Sequence, residues 1–277
     1  MSAPFDRALV RLRRERAARG ISGHDFLRRE VAEGIAARLR AINREFEVAV
    51  DIGSAFSGTV HTDLAAAMVA RCSDWRVVAD EEALPFRTGA IDLVVSVLAL
   101  HWVNDLPGTL SQIRHCLRED GLFIGALFGV GTLGELRDAM NAAEIEVTGG
   151  LSPHVSPFLD AMDGAALLQR AGFALPVADR ETITVTYSDP IALMHELRAM
   201  GEGNALVDRQ RKPMRRAVLM RAVEIYGERF AEPDGRIRAT FEIVTLTGWA
   251  PHESQQKPLP RGSGKMHLGD ALGRPGN

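Results

Sequence analysis

Acidic residues close the apolar runs of this chain, where a folded protein would present them to a ligand. In VAVDIGSAFSGTVHTDL, residues 48–64, an apolar run ends in Asp51, Gly53 and Gly58 follow, and Asp63 comes a few positions later. WRVVADEEALPF, residues 75–86, carries Asp80 and Glu81 at the end of a second run. His101 and Trp102 close a third, IDLVVSVLALHWV, residues 91–103. In open α/β sheets ligands bind at the carboxyl ends of strands, where the strand order reverses. A ligand with a cationic amino-acid end, a ribose diol and an adenine needs carboxylate acceptors, a glycine backbone it can approach and an apolar slot. S-adenosylmethionine has that makeup and carries no phosphate, so a full G-x-G-x-x-G loop is not required. A nicotinamide dinucleotide would want those glycines. By itself DIGSAFSG reads as a cofactor loop or as an ordinary strand-to-helix turn.

Other residues invite weaker readings. His61-x-Asp63 supplies part of a two-histidine, one-carboxylate iron site, but no distal histidine completes it, and no metal is expected. His154, in SPHVSPF, belongs to a lid over a pocket or to a structural turn. Glu202 and Asn204, in MGEGNA, line a substrate side or simply follow a helix C-cap on Gly201. Cys72 and Cys116 form no CxxC pair, which speaks against a zinc site or a disulfide scaffold. No Ser-His-Asp or nucleophilic cysteine arrangement stands out.

Alternating elements must position these residues. A polar helix over 1–20 precedes Ser22 and Asp25, spaced as a capping box, and an apolar stripe of Phe26, Leu27, Val31, Ile35 and Leu39. Strands are expected at 46–52, 75–80, 91–99 and 121–128, side by side and parallel, with a helix over 106–120. The run starting at Ile91 is continuously apolar, as in a strand buried on both faces. Helices follow at 132–147, 160–171, 190–200 and 213–230. One or two strands lie in 174–187, and a last one, antiparallel near an edge, in 239–250. The expected fold class is α/β, with a mostly parallel sheet and helices on both faces. Residues 1–45 form an N-terminal helical segment, 46–250 the main domain with a helical insertion at about 190–230, and 251–277 a C-terminal loop and tail.

Composition is that of an ordinary globular protein, 46% hydrophobic and 25% charged. A net charge of −3 gives no global attraction to nucleic acid or anionic membrane. The Arg-rich N-terminal segment, with Arg7, Arg11, Arg13, Arg14, Arg16 and Arg19, reads as a solvated helix face or as a contact for an acidic partner or RNA. No stretch has the apolar length of a membrane span, and the start lacks the apolar region of a signal peptide. Asp6 and Glu15 interrupt what would otherwise suit a transit peptide.

VVADEEALPF (77–86), DLVVSVLALHWVNDLPGTLSQIRHCLREDGLFIGALFG (92–129), GGLSPHVSPF (149–158), LLQRAGF (167–173), LRAMGEGNA (197–205) and GWAPHESQQKPL (248–259) together resemble one family. It is the class I S-adenosylmethionine methyltransferase-fold family that includes the mitochondrial complex I assembly factor, an arginine hydroxylase, and its alphaproteobacterial relatives. The chain is more distantly similar to the malonyl-carrier-protein methyltransferase of biotin synthesis. The resemblance implies a Rossmann-like fold and S-adenosylmethionine as cofactor. Asp51, Gly53 and Ser54 match the start of the cofactor loop. Asp63 matches the ribose acid, and Asp80 and Glu81 the acidic turn beside the adenine. Leu98 to Trp102 match the wall under the methionine moiety. Catalytic candidates are His101, Trp102 and Glu202; carboxylates for a guanidinium are Asp105, Glu202 and Glu135.

The chain departs from that family in two places. Too few residues separate Gly53 from Asp63 for a helix and a strand. A first βαβ unit collapsed to one helix over 59–72 is therefore expected, with no strand before WRVVAD, Asp63 in that helix's first turn, and Asp80 as its substitute. Gly131 stands where relatives carry an Asp. The expected activity is modification of a protein arginine in complex I assembly, with an iron–sulfur subunit as partner. The location is cytoplasmic in a bacterium or the mitochondrial matrix in a eukaryote. The alternatives are a non-catalytic assembly chaperone and a small-molecule methyltransferase.

Overall fold

The computed structural model describes residues 3–53, 56, 58–256 and 263. Its centre is a seven-stranded sheet in the order β3-β2-β1-β4-β5-β7-β6. The strands are β1 (Ala49–Ile52), β2 (Val60–Asp63), β3 (Arg76–Val78), β4 (Ile91–Val97), β5 (Leu117–Phe128), β6 (Ala174–Tyr187) and β7 (Ile237–Trp249). Strands β1 to β5 pair in parallel, and β7 runs antiparallel to both β5 and β6. This is the expected α/β architecture with one reversed strand.

Helices cover both faces. They are α1 (Arg7–Ala17), α2 (Phe26–Ala41), the short α3 (Ala66–Val69), α4 (Leu106–Cys116), α5 (Gly134–Thr148), α6 (Ala161–Arg170), α7 (Pro190–Met200) and α8 (Arg216–Phe230). Side chains of a strand alternate between faces, and β4 and β5 show it. Val95, Val97, Ile124 and Phe128 join the stripe of α2 (Leu27, Val31, Ile35) and residues of α5, α7 and α8 in one core. Val94, Phe123 and Leu127 join Leu110 and Ile113 of α4 and Leu168 of α6 in the other. Every residue of β4 is buried, as its unbroken apolar run requires. Among the described residues no helix is long and apolar enough to cross a membrane.

The collapsed first unit is corrected. A strand, β2, stands at 60–63 and pairs in parallel with both β1 and β3, so 46–52 and 75–80 are not neighbours. The helix expected over 59–72 is reduced to Ala66–Val69. What is short is the crossover: residues 53–59 alone join β1 to β2. Parallel neighbours usually need a dozen or more connecting residues, but that holds for strands of ordinary length. Register sets Val50 beside Val60 and Ile52 beside Thr62. The chain therefore goes back about two residues along the sheet and one strand spacing across, roughly 10 Å in all. A seven-residue stretch reaches about 23 Å when extended, so no helix is needed.

Two smaller readings also change. Ser22 lies in a 3-10 turn, and α2 starts after Asp25 with no side-chain cap, so the capping box does not form. The helix expected to reach residue 120 stops at Cys116, because Leu117 is already extended and pairs with Ile91.

Candidate cofactor and substrate site

Asp51 lies in β1 and is fully buried. Asp63, the last residue of β2, is also fully buried. Asp80 and Glu81 follow β3, and Leu98 to Trp102 follow β4. The sequence-derived residues thus meet along one edge of the sheet. Asp63 returns there at a strand end, not in a helix, so Asp80 need not replace it.

Gly53 has to be glycine. Its φ is +110°, and a Cβ would lie 3.0 Å from the Ala99 Cβ and 3.1 Å from the Val97 carbonyl oxygen. The β1 loop is thereby pressed against the end of β4, where Leu98 holds a left-handed φ of +49°. Such strain in a non-glycine residue concentrates at functional sites. Asp51 Oδ2 accepts the Phe56 amide at 2.7 Å and shapes the loop from below. Ser54 lies outside the described residues.

Three arginines of the N-terminal helices reach into this edge. Arg14 grips Asp63 with both ends of its fork, Nε to Oδ1 at 3.0 Å and a second, shorter bond to Oδ2. Arg7 bonds Asp80 at 2.6 Å and also Glu81. Arg28 donates to the Gly53 carbonyl. Burial pushes the Arg14 pKa down, but Asp63 outweighs it and the net shift is upward. For Glu81 burial wins over Arg7 and Arg14, and its pKa rises. The solvated-face reading of this segment fails for these residues. A signal was present: Arg7, Val10, Arg14 and Ala17 recur on one helix face, and Val10, Arg14 and Ala17 are buried.

Beside this edge, Glu202 forms a second centre. Gly201, at φ +87°, caps α7 and turns the chain so that Glu202 points inward. Its Oε2 accepts Trp102 Nε1 at 2.9 Å and lies 3.0 Å from His101 Nε2. The His101 ring packs 4.6 Å from Phe128. Burial raises the Glu202 pKa, but His101, Arg14 and Trp102 together outweigh it and hold the carboxyl below its usual value. The three catalytic candidates therefore form one hydrogen-bonded group. The C-cap reading of MGEGNA holds, and the cap is what delivers the Glu202 carboxylate to His101 and Trp102.

Other candidates lie elsewhere. Asp105 caps α4 by accepting the Gly108 amide at 2.8 Å. Glu135 accepts the Thr240 hydroxyl at 2.5 Å. His154 bonds Glu144 at 2.9 Å and ties its segment to α5, while Asn204 donates to the Pro153 carbonyl at 2.7 Å. Space beside Gly131 is filled by Glu242, whose Oε1 accepts the Gly131 amide at 3.4 Å. His61 sits 3.6 Å from Asp51 and 3.6 Å from Asp74, which serve it as counter-charges.

Residues 45–125 match the family model described as a methyltransferase domain. Over 292 aligned positions the chain is 40% identical to the human protein named arginine-hydroxylase NDUFAF5, mitochondrial, covering 99% of this chain and 84% of that one. The zebrafish (Danio rerio) protein of the same name is 37% identical, covering 96% and 88%. The alignment to the human protein is longer than the 277 residues of the chain, so it has gaps on this side. A malonyl-[acyl-carrier protein] O-methyltransferase of Laribacter hongkongensis is 33% identical over 93% of this chain and 94% of its own length. Among solved structures, the YcgJ protein of Bacillus subtilis superposes with a TM-score of 0.54 at 14% identity, covering 80% of this chain and 99% of its own. That likeness shows the fold alone.

Proposed function

The chain belongs to the enzyme family of the mitochondrial arginine-hydroxylases NDUFAF5, and from that premise we propose that it binds S-adenosylmethionine and modifies an arginine of a protein partner. The partner we assign is an iron–sulfur subunit of respiratory complex I, acted on during assembly of that complex. The observation that carries this reading is the line of carboxylates Asp51, Asp63 and Asp80 at three successive strand ends, set against a Glu202 held by His101 and Trp102.

The residues fit the cofactor. Gly53 lets the β1 loop pack against the end of β4, where a Cβ would collide with Ala99 and Val97, and this sets its backbone beside Asp51, where an amino-acid end would bind. Asp63 is placed for the ribose diol, Asp80 and Glu81 for the adenine side, and Leu98 for the wall under the methionine chain. When bound, S-adenosylmethionine supplies an activated methyl group. Arg14 holds both oxygens of Asp63, so a ribose has to share that carboxylate or take it over.

Glu202 suits a substrate guanidinium. It is ionised, buried and, among the described residues, fixed through Oε2 alone. Among the described residues its other oxygen accepts no bond and remains for an arginine N–H, and Trp102 stands beside it, with Phe128 behind the His101 ring. Charge-assisted bonds of this kind orient a planar guanidinium. Orientation is what a reaction on one of its nitrogens requires.

A second reading, a non-catalytic assembly partner, is favoured by one observation: Arg7 and Arg14 already neutralise the carboxylates that a cofactor would use. Co-expression with the iron–sulfur subunit, followed by mass spectrometry of its arginines, separates the two. A gain of one oxygen or one methylene on an arginine, absent with Glu202→Gln, is the expected result. An unmodified subunit that still needs this chain to assemble favours the second reading.

A further inference from the structure

Arg28 is a buried cation without an anion. It stands in the first turn of α2 and is 9% exposed. Its guanidinium donates to the carbonyl oxygen of Gly53. Among the described residues no carboxylate lies within ion-pair distance of it, in contrast to Arg7 and Arg14. Burial lowers its pKa and the charge of Arg14 lowers it further, and the distant charges of Asp63, Asp51 and Glu202 do not offset them. One carbonyl is poor compensation for a buried charge, which is ordinarily paired with an opposite one.

Asp63, Asp51 and Glu202 act on Arg28 only from beyond ion-pair distance. Arg28 borders a cavity of about 140 Å³ shared with Ile21, Asp25, Arg29, Met68 and Arg71. Of these, Asp25 is engaged by Arg29 at 3.0 Å. Arg71 donates to the Ala18 carbonyl at 2.9 Å. A cavity lined by three arginines and one already paired carboxylate calls for an anion. Its position says which one. The guanidinium lies 3.7 Å from where a Gly53 Cβ would be, at the junction of the β1 loop and the end of β4. That junction receives the amino-acid end of the cofactor under the function proposed above, on which this inference rests.

We infer that Arg28 anchors the carboxylate of the cofactor's amino-acid end, which pairs its charge on binding. Asp51 and the Gly53 carbonyl would be left to the ammonium of the same end. Arg28 is thus a binding residue and takes no part in bond making.

Isothermal titration of the full-length chain with two ligands tests this. S-adenosylmethionine carries the carboxylate; 5′-methylthioadenosine keeps the adenine, ribose and sulfur and lacks it. Arg28→Met is expected to weaken S-adenosylmethionine binding roughly 10- to 100-fold, the worth of a charged hydrogen bond, and to leave 5′-methylthioadenosine within about twofold. The melting temperature of ligand-free Arg28→Met is expected at or above that of the unsubstituted chain, since an uncompensated buried charge is removed. Should Arg28→Met not fold, Arg28→Lys keeps the charge and loses the fork, and should weaken S-adenosylmethionine alone. Equal binding of S-adenosylmethionine by variant and unsubstituted chain, or equal loss of both ligands, overturns the inference. So does sulfate abolishing the difference, which would mark a general anion site. An unsubstituted chain that binds neither ligand overturns the cofactor reading itself, and this inference with it.

Discussion

Arg14 and Asp63 come from positions 49 residues apart and bury opposite charges against each other. Breaking a buried pair by removing one partner strands the other charge, at about 3–5 kcal/mol. Arg14→Met is therefore expected to lower stability by that order in urea melts, and S-adenosylmethionine to raise the melting temperature of the variant more than that of the unsubstituted chain, because the ribose meets a carboxylate with no competitor. Glu202→Gln keeps an oxygen for Trp102 and removes the charge; it is expected to leave the far-ultraviolet circular dichroism unchanged and to cost an arginine-bearing substrate about 1.5–3 kcal/mol of binding. At this scale Asp51, Asp80, Glu81, His101, Trp102 and Glu202 were legible because each ends an apolar run or follows a glycine stop, and Asp63 only through the family resemblance. The arginine partners were not. Arg7 reaches Asp80 across 73 positions, and nothing local in either segment records that pairing.

Among the elements, β2 escaped sequence reading for a physical reason. Its residues are Val60, His61, Thr62 and Asp63, and the last three are buried although polar. They are buried because each has a partner: His61 has Asp51 and Asp74, Thr62 bonds the Asp51 carbonyl at 3.3 Å, and Asp63 has Arg14. A strand satisfied by partners on other elements carries no apolar period to detect. By contrast β4, β5 and β7 announce themselves as apolar runs, and α2 by its stripe. His61 also gives β2 a pH dependence. Asp51 raises its pKa above 6.5, against burial, and Asp74 adds to the rise. A group raised on folding contributes stability that is complete below its unfolded value and is lost as pH rises through the folded one. Unfolding free energy measured upward from about pH 6 should therefore fall through the range just above the ordinary histidine value, and His61→Asn should flatten that fall. A profile unaltered by the substitution would show that the Asp51–His61–Asp74 contact does not support the strand.

For the molecule as a whole, the strand order places the acidic strand ends, the Gly53 loop and Glu202 on one edge of the sheet, with α1 and α2 laid across it. The α/β class and the family were readable from segments spread along the chain, and 40% identity over 99% of its length bears the family out. The shortened crossover was readable as a missing span; that a strand stands at 60–63 required the pairing itself. Residues already paired with arginines set the sharpest question, whether this edge still accepts a cofactor. Isothermal titration of the full-length chain with S-adenosylmethionine answers it most directly. Saturable heat is expected, weakened by about 0.5–1.5 kcal/mol in Asp80→Ala, where a half-exposed hydrogen-bond acceptor is lost. No heat at millimolar cofactor, from a chain whose circular dichroism shows it folded, would contradict the cofactor assignment.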